Sequence, residues 1–190
     1  MKYYPLIITK VLKYIKTMDK QMKEKIKHYI KEILLFVIVM TLFANIISLY
    51  KSTELNKEPI KIMQLTLIDN TNYTVPKDKP LLIHFWATWC PTCSLEASNI
   101  QRISEDYEVI TIAVKSDSKE IMHYMKENNL NFKVVNDKNG IIASEFNIAA
   151  YPTTFIYDKN KELLFSEVGY TSTFGLYLRM WWANLSSHES

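Results

Sequence analysis

The amino-acid sequence predicts an α/β domain with a central mixed sheet flanked by helices, preceded by one transmembrane helix. A buried strand, a helix and a second buried strand follow one another within residues 81–114, an order typical of a parallel βαβ unit. Two β-rich runs within residues 153–170 are separated by a short polar stretch, which indicates an antiparallel hairpin and makes the sheet mixed. Residues 33–50 form an uncharged run of eighteen residues, long enough to cross a bilayer.

Composition predicts one globular domain plus an accessory segment. The chain has 190 residues, 48% of them hydrophobic, which suffices for one core but leaves too few residues for two large domains. The net charge of +3 is concentrated at the front, where nine lysines lie within residues 1–31 against Asp19 and Glu24. Because the remainder is slightly acidic, we expect no nucleic-acid partner.

The uncharged run also predicts the membrane topology. It lies between a basic arm of residues 1–31 and Lys51, and we assign residues 32–51 to a transmembrane helix. Short basic segments stay cytoplasmic, so the arm is expected inside the cell and everything after residue 51 outside. Two alternatives remain, a buried core helix and a cleaved signal peptide, although no A-x-A site follows the run. The arm either lies on the anionic inner leaflet or is a solvated charged helix.

The segments after the membrane helix begin with a linker and β-structure. Residues 52–59 are polar and end at a proline, which is typical of a linker. Residues 60–76 contain two β-rich runs around turn-forming residues 69–72, which predicts a hairpin. The almost continuous apolar run at residues 81–88 predicts a strand covered on both faces.

Helices and strands then alternate. From Pro91 to about Asp106, Leu95, Ile100 and Ile103 recur at helical intervals, which predicts a helix that buries these side chains. The elements that follow are predicted as a strand at 108–114, a helix at 116–129 capped within 116–118, a strand at 132–137, a short helix at 139–148 and strands at 153–158 and 162–170.

A closing helix is predicted at residues 172–185. It has Leu176, Met180 and Trp181 on a common side, which indicates a face packed on the sheet. Tyr177, Trp181 and Trp182 mark either a contact surface or, as is more common, part of that packed face.

Three roles are open to the two cysteines, Cys90 and Cys93. A closed zinc site typically needs four ligands, and His84, His123 and His188 are scattered without metal-ligand spacing, so we predict no metal site. A Cu(I) site made of the two thiolates alone remains an alternative. A structural disulfide across two residues closes a minimal loop and removes little entropy from the unfolded chain.

The position of the pair favours redox chemistry. C-x-x-C directly follows a buried strand and opens a helix, so Cys90 lies near the N-cap and Pro91 at the first helical position. The unpaired N–H groups and the helix dipole favour a thiolate there, and the thiolate is the nucleophile in disulfide exchange. Cys93, one turn further on, would resolve the mixed disulfide.

FWATWCPTC at residues 85–93 resembles the thioredoxin superfamily, and the resemblance covers about residues 60–186. The hairpin, the extra helix and strand near residues 117–136 and the anchor resemble its TlpA-like branch, and HFWATWCPTCSLE, VVND and YPTTFIYD most resemble the ScsD (suppressor of copper sensitivity) group. The resemblance implies a thioredoxin-like fold with a TlpA-type N-terminal hairpin and a central insertion. It also implies protein disulfide oxidoreductase activity that requires no cofactor besides the cysteine pair.

The resemblance implies roles for residues around the pair. Cys90 attacks and Cys93 resolves. Pro152 stands where the family places a cis proline, which would turn the Tyr151 backbone towards the client; an ordinary trans proline at an edge strand is the alternative. His84 stands where thioredoxin carries a buried aspartate, and an imidazole with a near-neutral pKa would move the proton of the inner cysteine; a buried histidine that serves only packing and one hydrogen bond is the alternative.

Trp89, Pro91 and Thr92 complete the predicted client-binding residues. Trp89 is expected to shield the sulfurs and offer an apolar face to partners. Thr92 lacks the positive charge of the histidine that oxidising relatives carry there, so a strongly oxidising protein is less expected.

The predicted function is therefore a thiol:disulfide oxidoreductase in a bacterial inner membrane, with a cytoplasmic N-terminus and a periplasmic catalytic domain. The resemblance implies reduction of exported proteins, with electrons from a DsbD-like transmembrane donor and a duty in copper tolerance. A net oxidase and a non-enzymatic Cu(I)-binding module remain alternatives.

Overall fold

The computed structural model describes residue 22, residues 24–43, residue 55 and residues 64–186 of the chain. In this part of the chain the predicted α/β domain with a mixed sheet is confirmed, and its strands and helices follow the predicted order.

The chain divides into two units, and the first comprises residues 1–47. Within it, residues 24–43 form helix α1. Among the described residues, no helix combines the length and the apolar character needed to cross a membrane. The predicted span, residues 32–51, is described only as far as residue 43. Its remainder lies outside the described residues, as do most of the predicted arm (1–31) and linker (52–59).

The second unit, residues 48–190, contains the predicted domain. Its described elements are β1 (Gln64–Thr66), β2 (Asn72–Thr74), β3 (Leu81–Trp86), α2 (Pro91–Asp106), β4 (Glu108–Val114), α3 (Ser118–Glu127), β5 (Lys133–Asp137), α4 (Ile141–Glu145), β6 (Thr153–Tyr157), β7 (Leu163–Val168) and α5 (Thr173–Leu185).

Five of these strands form the central sheet, in the order β5-β4-β3-β6-β7. Strand β4 runs parallel to β3 and β5, whereas β6 runs antiparallel to β3 and β7. All six residues of β3 are buried, because this central strand is covered on both faces of the sheet. One core cluster packs beneath α2 and α5, and the other lies on the opposite face with the N-terminal hairpin and α4.

The β1–β2 hairpin is held at the starting ends of β4 and β5. The Tyr73 hydroxyl donates a hydrogen bond of 2.8 Å to Glu108 at the start of β4. Lys133, at the start of β5, forms an ion pair with Glu108 and lies 4.7 Å above the Tyr73 ring. The backbone N–H of Ile68 also donates to the carbonyl of Val134, at 2.8 Å. The hairpin is thus fixed at the end of the sheet where the parallel strands begin.

The segment predicted as a central insertion contains α3 followed by β5. Asp117 caps α3 within the predicted window, through a capping box in which its carboxylate accepts from the helix backbone and Glu120 accepts from the Asp117 N–H. Strand β5 then joins the edge of the sheet parallel to β4, which extends the sheet by one strand.

Two predictions of helix faces are wrong. Leu95 is 71% exposed, and the buried face of α2 is instead formed by Cys93, Glu96, Ala97, Ile100 and Ile103. Since a helix has 3.6 residues per turn, Leu95 lies on the far side of α2 from Cys93. Likewise, Trp181 is 51% exposed, because Ala183 follows Leu176 and Met180 at the i+7 position and completes the buried stripe of α5.

Candidate active site

The cysteine pair lies at the beginning of α2, as predicted. Cys90 is the N-cap residue, with φ −94° and ψ 111°, and Pro91 is the first helical residue. The Cys90 sulfur accepts a hydrogen bond of 3.2 Å from the Cys93 backbone N–H, so a helix-terminal donor already points at the predicted nucleophile. The two sulfurs form a disulfide. Cys90 is 6% exposed and Cys93 is 2% exposed, which makes Cys90 the more accessible of the two.

The sheet topology brings Pro152 to the same end of the molecule. Strand β3 leads into the turn before Cys90, and the antiparallel strand β6 begins opposite the end of β3, with Thr153 paired to Phe85. The residue before β6 therefore lies beside the cysteine turn. The Tyr151–Pro152 peptide bond is cis, which is the geometry that the family resemblance implies. The Pro152 carbonyl accepts a hydrogen bond of 2.8 Å from Gly169, which ties this loop to the end of β7.

Two aromatic rings form a rim next to the disulfide. Trp89 is 59% exposed and meets the ring of Tyr151 edge to face, with ring centroids 5.7 Å apart. Its indole N–H donates a hydrogen bond of 3.4 Å to the Lys115 carbonyl, which orients the ring across the end of β4. An exposed, oriented aromatic face suits contact with a client polypeptide. Trp86, in contrast, is core, packed against Tyr124 and Phe132.

Pro91 and Thr92 are the residues between the cysteines. Pro91 is exposed and Thr92 is partly exposed, so both are accessible to a client that approaches Cys90. Among the described residues there is no group of three or more His, Cys, Asp or Glu side chains that could hold a metal ion.

His84 is buried on the central strand. It lies on the same face of β3 as Leu82 and Trp86, which pack in the core cluster that contains Cys93. Its Nδ1 lies 2.9 Å from the hydroxyl of Thr154. Burial lowers the pKa of His84 to about 3, so the near-neutral pKa expected from the sequence is wrong. The imidazole is neutral at physiological pH and is a weak base.

Glu96 is a buried acid that the sequence analysis missed. It lies one turn beyond Cys93 on the buried face of α2 and is 0% exposed. Burial raises its pKa to about 8, with a smaller contribution from Glu167 and an opposing one from the Thr171 N–H. The burial of Glu96 could have been predicted from its position in the helical repeat. Glu96 lies three residues after Cys93 and four before Ile100, on the apolar face of the helix.

The loop between β7 and α5 covers Glu96. The Thr171 backbone N–H donates a hydrogen bond of 3.1 Å to Oε1, whereas Oε2 has no hydrogen-bond partner among the described residues. The side chain of Asn99 holds the same loop by donating to the Thr171 carbonyl at 3.0 Å and accepting from the Thr173 hydroxyl at 2.7 Å. One carboxyl oxygen is thus fixed and the other is available for a proton.

A disulfide at a helix N-cap beside a cis proline, on a mixed sheet of this topology, defines a thioredoxin-like thiol-disulfide oxidoreductase. Comparison with known proteins agrees with this class. The family model described as AhpC/TSA family matches residues 59–166, more than half of the chain. The chain therefore belongs to the AhpC/TSA family.

Individual relatives point to the same chemistry. The chain is similar to a "Thioredoxin-like protein" of Haemophilus influenzae, with 29% identity over 84% of this chain and 97% of that protein. It is also similar to "Sporulation thiol-disulfide oxidoreductase A" of Bacillus subtilis, with 26% identity over 57% of this chain and 71% of the relative. The crystal structure of a thiol:disulfide interchange protein from Chlorobium tepidum shares the fold, with a TM-score of 0.60, 22% identity and coverage of 67% and 97% of the two chains.

Proposed function

We propose that this chain is a membrane-anchored, extracytoplasmic oxidoreductase that reduces disulfides of exported proteins. The observation that carries the proposal is the Cys90–Cys93 pair at the N-terminus of α2, next to the cis peptide bond before Pro152. The more accessible cysteine lies at the N-cap, and the buried one follows a turn later, which is the arrangement that attack and resolution require.

The proposed cycle consists of two thiol-disulfide exchanges. The Cys90 thiolate attacks one sulfur of a client disulfide, the client S–S bond breaks, and the released client thiolate takes up a proton. Cys93 then loses its proton and attacks Cys90, which re-forms the Cys90–Cys93 disulfide and releases the second client thiolate, which is protonated in turn. The client gains two electrons and the cysteine pair loses two. A thiol donor of the DsbD-like transmembrane type would reduce the pair again.

Cys93 needs a nearby proton acceptor for the second exchange, and two groups compete for that role. The pKa of His84 is about 3, far below physiological pH, whereas that of Glu96 is about 8. A proton acceptor works best when its pKa lies near the working pH. We therefore propose that Glu96 takes the Cys93 proton, and that His84, the residue predicted from the sequence, contributes as a neutral hydrogen-bonding group. Replacing each in turn and following the pH profile of resolution distinguishes them: Glu96→Gln shifts the profile, and His84→Asn leaves its midpoint in place.

Client binding is proposed at the aromatic rim. Trp89 offers an exposed ring, and the Tyr151 backbone lies beside the cysteine pair, where an extended client segment can pair with it as an added strand. Pro91 and Thr92 would contact the same segment from the helix side. The proposed site thus binds the client through its backbone and a nearby sulfur, and not through a particular side chain. Such a site suits a protein with several clients.

The membrane anchor is supported by the surface of α1. Residues 33–43 are all exposed, and all of them except Thr41 are apolar. A helix that is apolar on every side has no aqueous face, and this surface is typical of a segment embedded in lipid. The Thr41 hydroxyl donates to the Val37 carbonyl at 2.7 Å, so this polar group is also satisfied within the helix. The lysine-rich sequence before it supports a cytoplasmic N-terminus and a periplasmic catalytic domain as part of this proposal.

Reduction is favoured over oxidation by Thr92. A cationic residue between the cysteines would stabilise the thiolate and make the disulfide more oxidising, and Thr92 carries no charge. Because a change of about 30 mV corresponds to only about 1.4 kcal/mol, the potential must be measured by equilibration with glutathione. A potential near that of DsbA would contradict the reductive direction. We propose that the reductive reaction protects proteins whose thiols copper has oxidised, as in the ScsD group.

The decisive experiment traps clients. Cys93→Ser removes the resolving thiol, so the full chain with this change should accumulate mixed disulfides through Cys90, and these clients can be identified after purification. Cys90→Ser is the matched control and should trap none. The wild-type chain should reduce insulin disulfides. If it binds Cu(I) tightly, reduces no insulin and traps no client, it is a copper-holding module instead.

A further inference from the structure

A row of polar side chains crosses the sheet beneath α2 and α5. Thr154 of β6 is paired on one side with His84 of β3 and on the other side with Glu167 of β7. Residues paired across neighbouring strands lie on the same face of a sheet. This face lies beneath the two helices, because Leu82 and Ile156, which are paired two residues along, belong to the core cluster there. The row therefore runs from the central strand to β7, the edge strand of the sheet.

Glu96 of α2 lies near the outer end of this row. Its Oε1 accepts a hydrogen bond of 3.1 Å from the Thr171 backbone N–H, and Thr171 follows β7 by three residues. Glu167 is the next-to-last residue of the same strand, and its negative charge contributes to the raised pKa of Glu96. The Glu167 side chain is 25% exposed, whereas Glu96 is 0% exposed. A buried acid thus has a carboxylate at the sheet edge as its charged neighbour.

Arg179 of α5 pairs with that carboxylate and is held by three contacts. Its Nη2 forms an ion pair of 2.7 Å with Glu167, and its Nη1 donates to the Gly175 carbonyl at 3.0 Å. The guanidinium also lies 6.0 Å from the centre of the Phe165 ring. Gly175 makes room for this arrangement, because a Cβ at that position would lie 2.9 Å from Nη1. The fold therefore fixes the Glu167–Arg179 ion pair next to the buried acid.

Few other charges reach Glu96 within the described part of the chain. His84 is the other ionisable residue on this face of the sheet, and its low pKa leaves it neutral at physiological pH. Arg179 is the one charged residue in the sequence of α5. The remaining charged side chains of α2 are exposed and lie further along the helix: Arg102, Glu105 and Asp106. The tyrosines of α5 and of the loop before it bond elsewhere, Tyr177 to Asp106 and Tyr170 to Asn99.

We propose that the Glu167–Arg179 ion pair sets the pH at which Glu96 takes up the Cys93 proton. This inference rests on the function of Glu96 proposed above. One proton moves from the Cys93 thiol to the Glu96 carboxylate, and the resulting thiolate attacks the Cys90 sulfur as the client thiolate leaves. The Glu167 carboxylate repels a second negative charge and favours protonated Glu96, whereas Arg179 offsets that repulsion. Both residues of the pair act through Glu96 and are positioning residues.

Two substitutions with opposite expected effects test the proposal. Glu167→Gln removes the repelling charge and should lower the midpoint of the pH profile of resolution by about half a pH unit. Arg179→Gln leaves the Glu167 charge uncompensated and should raise this midpoint by a similar amount. Glu162→Gln is the matched control, because it removes the same charge at an exposed position just before β7. This control should leave the midpoint in place.

Resolution is followed with a small aromatic disulfide, dithiobis(nitrobenzoate). The chain has two cysteines, so the reduced full chain should release thionitrobenzoate in two phases, the first from attack by Cys90 and the second from resolution by Cys93. The pH profile of the first phase should be the same in wild type and all variants, which reports the fold and the nucleophile. Urea unfolding of the oxidised chain provides a second measurement, since its alkaline loss of stability should shift in the same directions as the midpoint of resolution.

The proposal is overturned if the two substitutions shift the midpoint of resolution in the same direction, if neither shifts it, or if the profile of the first phase moves with it. It also fails if the shifts persist when Glu96 is replaced by Gln, because the pair would then act by another route. An unchanged resolution profile in Glu96→Gln would remove Glu96 as the proton acceptor, and this inference with it, but would leave the oxidoreductase proposal standing. Failure of the wild-type chain to reduce insulin would contradict the oxidoreductase proposal itself.

Discussion

At the scale of single residues, the site contains two buried ionisable groups whose neutral forms are both favoured. Burial penalises the charged form of each, which raises the pKa of Glu96 to about 8 and lowers that of His84 to about 3. The two shifts make stability depend on pH in opposite directions. Of these two groups, only Glu96 can exchange a proton near neutral pH.

The first prediction concerns Glu96 and alkaline stability. Its pKa is higher in the folded than in the unfolded chain, so the free energy of unfolding is highest below about pH 4.5, where Glu96 is protonated in both states. It falls as pH rises through about 8, by up to roughly 5 kcal/mol from linkage. Glu96→Gln should remove this loss and raise the free energy of unfolding at pH 8 while changing it little at pH 4.5. Urea unfolding of the oxidised protein at both pH values measures it. Glu105→Gln, at an exposed position of the same helix, should leave the pH dependence as in wild type.

The second prediction concerns His84 and acid stability. Its folded-state pKa is lowered, so the unfolded chain binds more protons, and stability falls as pH decreases from about 6.5 towards 3. His84→Asn keeps a hydrogen-bonding group for Thr154 but does not titrate. This variant should lose less free energy of unfolding than wild type between pH 7 and pH 4. An unchanged acid dependence would show that His84 is not the group responsible.

Most of the site could be predicted at this scale, and the two misses have different causes. Cys90, Cys93, Pro91 and the cis bond before Pro152 follow from local pattern and from the family resemblance. The pKa of His84 could not be predicted, because it depends on how completely other elements cover β3. Glu96 was missed because a glutamate is taken as solvated unless its helical face is checked against its neighbours.

At the scale of secondary structure, the cysteine helix is positioned by strands rather than by its own sequence. Strand β3 delivers Cys90 to the end of the sheet, and the antiparallel strand β6 returns Pro152 to the same end. The order and type of these elements could be predicted from the spacing of apolar residues, because this spacing differs between buried strands and amphipathic helices. The buried face of each helix was predicted less well: Leu95 and Trp181 are apolar yet exposed, because they fall outside the 3.6-residue repeat that the buried side chains of each helix follow.

The third prediction concerns the start of α3, which borders the active-site turn. Asp117 provides the capping box, so Asp117→Ala should lower the free energy of unfolding by about 1 kcal/mol. Asp117→Asn is the matched control, because asparagine caps nearly as well as aspartate, and it should retain most of the stability. Chemical denaturation of the three proteins measures the difference. Equal losses in both variants would assign the effect to the charge next to Lys138 and not to the cap.

At the scale of the whole molecule, the domain has two chemically distinct poles. One carries the disulfide, the cis bond and the aromatic rim; the other carries the β1–β2 hairpin and the exposed end of α5. Sequence analysis predicted an anchor and an exported domain, but it gave no indication of how the domain is oriented, because that depends on which ends of the helices and strands coincide.

The most direct test of the account is the reactivity of Cys90 in the full chain, in the membrane to which we propose that it is anchored. The full chain with Cys93→Ser, reduced and sealed in right-side-out vesicles, is treated with a membrane-impermeant maleimide across a range of pH. We predict labelling of Cys90 from the outside, with a half-maximal rate well below pH 8.5, the approximate pKa of a free thiol. Labelling with the pH dependence of a free thiol, or labelling only after the vesicles are opened, would contradict the account.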